Sequence, residues 1–241
     1  MNTVTEWSTE FDVLYDNITS NKAPGLNEYE KSVFLTRAQE DVVRGHFNPK
    51  ENQILEGIDD SIERQEDFRL LFVNSLLAST GSGDVDPRAL KYVYPSDLMF
   101  AINEQVFCHT TSISGPIAAT FAVRPLSYAE YNRLMAKPYK YPQKGVAWRL
   151  LNNVSTTTNA EIIARFPANT YPQYSIRYVK FPDPIILANI SSYGTINGKN
   201  GSGTSGDPGP LTCKLPAHLH NEILVRAVEL AKAVWESPTG K

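Results

Sequence analysis

The chain has 241 residues, 41% of them hydrophobic, a net charge of −3 and two cysteines. That length and apolar content suffice for a sizeable core, in one domain or in one domain with an appended helical layer. No run approaches the roughly 18 apolar residues of a membrane span. The N-terminus MNTVTEWSTEF carries neither the basic nor the apolar part of a signal peptide. These features predict a protein made and used in a cytoplasm, with no membrane partner and with Cys108 and Cys213 as buried free thiols.

Charge is unevenly spread: residues 1–80 carry 15 acids against 7 bases, whereas residues 81–241 carry 11 acids against 16 bases. An acidic end and a mildly basic end suit head-to-tail stacking, with an ordinary solvated surface as the alternative. The bases are too scattered for a phosphate track. Their densest cluster, KPYKYPQK from Lys137 to Lys144, reads as an exposed loop able to meet passing DNA or an acidic partner face.

In chain order, Trp7, Phe11, Leu14, Tyr15 and Ile18 recur at helical spacing and predict an amphipathic helix over residues 6–19. The next segment, Asn27 to Phe47, opens on an Asn27/Glu30 capping box. Its apolar residues fall on two sides of a helix, Tyr29, Val33, Val43 and Phe47 on one, Phe34, Leu35, Ala38 and Val42 on the other. Either the helix is sandwiched within its own domain, or one stripe meets a neighbouring subunit. Asp60 and Glu63 repeat the capping pattern, and the apolar run Phe68 to Leu77 either continues that helix or becomes a buried strand, with a short helix followed by a strand as the favoured reading.

From about Leu90 the texture becomes β-like, with candidate strands Leu98 to His109, Ile117 to Val123, Val146 to Leu151, Glu161 to Arg165 and Tyr174 to Phe181. A Ser127/Glu130 capping box predicts a short helix over 127–136. Pro182 and Pro184 mark an exit from the sheet. The glycine-rich stretch from Ser191 to Pro210 reads as a flexible arm with a hairpin turn at Asn197-Gly198. A last helix begins near Pro216, with Ile223, Ala227, Leu230, Ala231 and Val234 forming its stripe and Trp235 widening it. The expected fold is α+β: a helical layer from both chain termini plus a central, mostly antiparallel, β-sandwich-like domain. The domains are 1–89, 90–214 with the arm at 191–210, and 215–241 packing on the N-terminal helices.

The common local signatures of nucleotide, zinc and serine chemistry are absent. His218 and His220, at i and i+2 on a helix start, diverge by about 200° and do not make a zinc pair. Cys108 and His109 leave opposite faces of a strand. Gly83 to Asp86 falls short of a calcium loop. No catalytic, cofactor or metal residue is therefore assigned.

Four long runs carry a resemblance: Glu10 to Phe47, Arg124 to Asn153 (RPLSYAEYNRLMAKPYKYPQKGVAWRLLNN), Tyr174 to Leu187 (YSIRYVKFPDPIIL) and Leu215 to Glu236 (LPAHLHNEILVRAVELAKAVWE). Together they resemble a structural protein of crAss-like bacteriophages infecting Bacteroidales. The resemblance implies a non-enzymatic virion protein of the head-to-tail connector, a ring or adaptor beneath the portal, assembled in the bacterial host cytoplasm. It further implies a homo-oligomeric ring of twelve, contacts with the portal protein and other ring or tail proteins, no cofactor, and genomic DNA passing through without sequence-specific binding. Packing at subunit interfaces is assigned to Tyr29, Val33, Phe34, Val42, Phe47 and Trp235. The alternative is a glycan- or receptor-binding module of a tail appendage, and a cell-wall hydrolase finds no paired carboxylates or nucleophile to support it.

Overall fold

The computed structural model describes residues 1, 3–19, 25–47, 62–154, 157–203 and 209–236. The chain forms two compact units, one made from both chain ends (Met1–Leu70 and Pro182–Lys241), the other from Leu71–Phe181. The fold is α+β, as the sequence predicts.

The unit built from the chain ends contains helices α1 (Val4–Thr19), α2 (Glu28–Phe47) and α3 (Ile62–Asp67), and the C-terminal helix Ala217–Glu236. Two capping boxes start the first two. Asn27 N–H donates to Glu30 Oε2 at 2.9 Å while Glu30 N–H donates to Asn27 Oδ1 at 2.8 Å. Thr3 and Glu6 exchange the same pair of bonds at 3.3 Å each. Each box satisfies amides that a helix start otherwise leaves unpaired. A helix of the length of α1, 16 residues, would be only marginally stable alone. Trp7, Phe11 and Tyr15 are buried at i, i+4 and i+8. At about 1.5–3 kcal/mol per buried large side chain they decide the matter. The C-terminal helix buries Ile223, Leu224, Ala227, Val228 and Ala231, and packs on both α2 and α1.

The other unit is one sheet of strands β1 (Phe72–Ala78), β2 (Gly81–Ser82), β3 (Leu90–Val93), β4 (Leu98–His109), β5 (Ile117–Pro125), β6 (Val146–Val154), β7 (Thr157–Ile163) and β8 (Tyr171–Lys180). Their order is β1-β8-β4-β5-β6-β7-β3-β2. Every pairing is antiparallel except β5 with β6, whose parallel register requires a crossover. Helix α4 (Tyr128–Met135) provides it, started by Ser127, whose hydroxyl accepts from the Glu130 amide. We number the C-terminal helix α5.

The two edge strands, β1 and β2, are joined by only Ser79 and Thr80, so the sheet's two edges belong to one bent stretch of chain and the sheet curls on itself. Curling protects edges that would otherwise stay open to pairing. Its interior is filled by Tyr92, Val106, Cys108, Phe121, Ala147, Ile162, Tyr174 and Ile176. The outside of β6 and β7 is covered too: Trp148, Leu150 and Ile163 cluster with Tyr131 of α4. Both faces of these strands are thus buried, which explains why VAWRLL shows no clean apolar/polar alternation.

Strand Leu98–His109 has the predicted bounds, and Phe72–Ala78 is the strand that follows a short helix. Pro182 stands just beyond β8, where the chain leaves the sheet. The Asp60/Glu63 capping pattern lies outside the described residues. Among the described residues no helix is long and apolar enough to cross a membrane.

Candidate interaction surfaces

Helix α2 buries Lys31, Ser32, Leu35, Thr36, Ala38, Gln39, Val42 and Val43. At about 100° per residue these occupy one arc of about 160° rather than two opposed stripes. Part of that arc meets the extended segment after Pro182. Ser32 Oγ donates to the Glu28 carbonyl and accepts from the Leu187 amide, and Thr36 Oγ1 bonds both the carbonyl and the amide of Ile185. Two hydroxyls thereby do for the extended chain what a neighbouring strand would. Ile185, Ile186, Leu187 and Ile190 of that segment are buried.

Lys31 is the unexpected member of the arc, only 4% exposed. Its Nζ donates to Asp12 at 2.7 Å, to Ser8 at 3.0 Å and to Glu28 at 3.1 Å. Burial alone would lower its pKa; the bonds to the Asp12 and Glu28 carboxylates outweigh it and hold the ammonium above the ordinary lysine value.

The six positions assigned from sequence are distributed around this core. Val42 is buried. Tyr29 stacks on Tyr193 with centroids 5.2 Å apart, and Phe47 packs on Phe68 at 5.6 Å. Val33 and Phe34 are half-buried. The first falls beside Tyr29 and Phe47 at one edge of the arc, the second at the other. Trp235 belongs to the last turns of α5, and its side chain lies outside the described residues. Lys31, Ser32, Thr36 and Gln39 were invisible to the apolar pattern. The partners that Lys31, Ser32 and Thr36 find are carboxylates, or backbone about 150 positions away.

Residues 191–203, read from composition as a flexible arm, are anchored within their unit. The Asn197-Gly198 turn forms as expected. Both residues have positive φ, 49° and 78°, and an Ile196–Lys199 bridge closes the turn. Asn197 Nδ2 donates to Glu40 of α2 at 2.9 Å, and Lys199 reaches Asp183 at 2.6 Å. Lys214 reaches the other oxygen of Asp183 at 2.7 Å.

The charge asymmetry persists when counted by unit. The unit built from the chain ends carries 20 acids against 12 bases, and Leu71–Phe181 carries 6 acids against 11 bases. All six carboxylates of the β unit have internal partners. Asp84 holds Lys91, Asp86 holds Arg88 and Tyr131, Asp97 holds Tyr178, and Glu130 holds Arg124. Glu104 and Glu161 are enclosed. Among the described residues, Arg133, Lys137, Lys140, Lys144 and Arg165 consequently have no carboxylate partner.

Arg165 and the Asp86-paired Arg88 converge on Tyr141. Arg88 lies 4.9 Å and Arg165 5.5 Å from its ring centroid, within cation–π range. With Met135 and Lys137 they line a cleft of about 390 Å³. A second hollow, lined by Arg124, Tyr139, Lys140 and Trp148, shares Tyr141 with the first.

Several other ionisable groups are built into the fold. Inside the sheet, Arg149 bonds Glu104 and the Tyr94 hydroxyl, and Tyr174 donates to Glu104 at 2.9 Å. Burial raises the Glu104 pKa against the opposing pull of Arg149 and its hydroxyl partners. Glu161 accepts the amides of Asp84, Val85 and Asp86 and the side-chain amide of Asn152. The loop at 83–86 therefore wraps a carboxylate instead of a cation. His220 bonds the Leu215 carbonyl and packs against Trp7, while His218 turns to Asp67 at 3.3 Å. Both cysteines are buried and free, and burial pushes the Cys213 thiol up to about 11. Among the described residues no group of three or more His, Cys, Asp or Glu side chains could hold a metal ion.

The protein thus combines a helical unit with a curled-sheet unit, one acidic and one basic, and its buried ionisable groups are spent on structure. The sequence comparisons supply the class: the chain matches the family described as phage tail ring protein 3/4 over residues 1–241, and it belongs to that family. It is 44% identical over 237 residues to Ring protein 4/5 of Bacteroides phage crAss001, covering 97% of this chain and 93% of the relative. It is also 28% identical over 233 residues to Ring protein 3 of the same phage, covering 94% of this chain and 93% of that relative. The chain is thus a ring protein of the crAss-like phages.

Proposed function

We propose that this chain is a non-enzymatic subunit of a homo-oligomeric ring in the head-to-tail connector of the virion, lying between the portal and the more distal tail. The observation that carries the reading is the full-length match to tail ring proteins, two of which occur in one phage, as a stack of related rings requires. The opposite net charges of the two units support it. A closed ring uses heterologous contacts, so one patch must meet a different patch on the next copy, and complementary potentials select that pairing and its orientation.

Twelve copies is the number the family resemblance implies. Tyr29, Val33, Phe34, Phe47 and Trp235 are proposed to flank the subunit contact, with Val42 supporting them from the core. DNA passes through the ring held by no base-specific contact. The test is to add the purified chain to isolated portal rings of the same phage and image the product by negative stain. A discrete extra layer on one end of the portal is expected. A portal that stays bare, with the added chain free in the background, refutes the placement.

A further inference from the structure

The basic cleft at Tyr141 and the outer face of α1 lie on different units, and each includes charged side chains that have no opposite partner among the described residues, Arg165 and Lys137 in the cleft, Glu10 and Asp16 on the helix. Helix α1 has no Lys or Arg in its 16 residues. Asp12 is committed to Lys31. On the side of the helix away from the buried Trp7, Phe11 and Tyr15, the residues Glu10, Val13 and Asp16 fall within about 120° of one another. All three are exposed, Val13 at 54%. This is an acidic face with an apolar centre. The cleft has the matching character. The guanidinium carbons of Arg88 and Arg165 lie over Tyr141, the stems of Met135 and Lys137 complete the wall, and Arg165 and Lys137 have no carboxylate partner among the described residues.

We infer that the Arg88–Tyr141–Arg165 cleft of one copy receives the acidic outer face of helix α1 of the next copy. The inference rests on the ring reading and names its contact. Arg88 is already held two-pronged by Asp86, whereas the guanidinium of Arg165, lying over the ring, keeps its N–H edge for a two-pronged bond that a carboxylate accepts, and Lys137 stands beside it. The cations converge on one ring in a cleft of about 390 Å³, which suits a pair of carboxylates. A nucleic acid backbone would instead call for cations spread along a track. An acidic helix on one unit and a basic cleft on the other form the two unlike patches that a heterologous contact needs.

The test uses the full chain. Two variants, K137E/R165E and E10K/D16K, reverse the charge of the cleft and of the helix, all at exposed positions, with circular dichroism confirming the fold. By mass photometry each variant alone is expected to need about tenfold more protein for half-assembly than the wild type. An equimolar mixture of the two is expected to assemble at the wild-type concentration, because every contact in an alternating ring is again between opposite charges. Assembly of both variants at the wild-type concentration overturns the inference while leaving the ring reading intact. A wild type that stays monomeric both alone and with the portal overturns both. If K137E/R165E assembles normally but no longer retains a short duplex DNA that the wild type binds at low salt, the cleft takes nucleic acid and the inference falls.

Discussion

Thr36 of α2 and Ile185, 149 positions later in the chain, share two hydrogen bonds: Thr36 Oγ1 donates to the Ile185 carbonyl at 3.3 Å and accepts from the Ile185 amide at 3.1 Å. Both residues are buried, so water cannot replace the hydroxyl. Thr36→Val keeps the shape and leaves a buried amide and a buried carbonyl unpaired. The expected cost is about 1–3 kcal/mol, read as a lower denaturant midpoint, with Thr36→Ser recovering most of it. A Val variant as stable as wild type would show that the extended segment is held by its isoleucines alone.

Gly83 is needed because of what it touches. A Cβ there would lie 2.5 Å from Glu161 Oε2, 2.6 Å from the Asp86 carbonyl and 2.8 Å from Ala89 Cβ. The carboxylate cannot swing aside, being pinned by three backbone amides. Gly83→Ala is therefore expected to destabilise by about 1–3 kcal/mol. Glu161→Gln sets an amide NH₂ or a weaker acceptor against the same donors and is expected to cost a similar amount. Amide hydrogen exchange of residues 84–86 provides the check, with protection falling in both variants.

Inside the sheet, Arg149 and Glu104 test how a buried pair behaves. Arg149→Met strands a buried carboxylate and is expected to cost about 3–5 kcal/mol. Replacing both, Arg149→Met with Glu104→Leu, removes the unpaired charge as well and is expected to recover much of that loss. A double-mutant cycle in guanidinium measures the difference; equal losses in the single and double variants would contradict it.

These partnerships show where sequence reading succeeds. Capping at Asn27 and Ser127, the Asn197-Gly198 turn and the bounds of β4 were legible because each is decided by residues a few positions apart. Lys31, Ser32, Thr36 and Gln39 look like a solvated helix face until Asp12 and the Ile185 backbone arrive from elsewhere in the chain. Arg149 and Glu161 likewise sit in runs that give no sign of a buried charge. The cation cluster at Lys137 to Lys144 was visible as composition, but not its convergence with Arg88 and Arg165 on Tyr141, which depends on how three parts of the chain meet.

Acid should weaken the anchoring of residues 191–203. Burial alone would raise the Asp183 pKa; Lys199 and Lys214, at 2.6 and 2.7 Å, overcome it and hold the carboxyl at about 2. The folded value lies below the unfolded value of about 3.9. The interaction is thus fully present above about pH 4 and is lost as pH falls through about 2. The carboxylate is 27% exposed and Lys214 62%. Solvent screening therefore reduces the contribution to about 1–2 kcal/mol. Asp183→Asn should lower stability by that amount at neutral pH, and the gap should close on acidification toward a pH of about 2. A gap that is independent of pH would assign the loss to packing.

The most direct measurement is the mass of the purified wild-type chain over a range of concentrations, alone and with its portal. A single discrete assembly, an integer multiple of the 26.9 kDa chain, that forms alone or on the portal is the predicted result. A chain that stays monomeric at every concentration, with and without the portal, would contradict the ring.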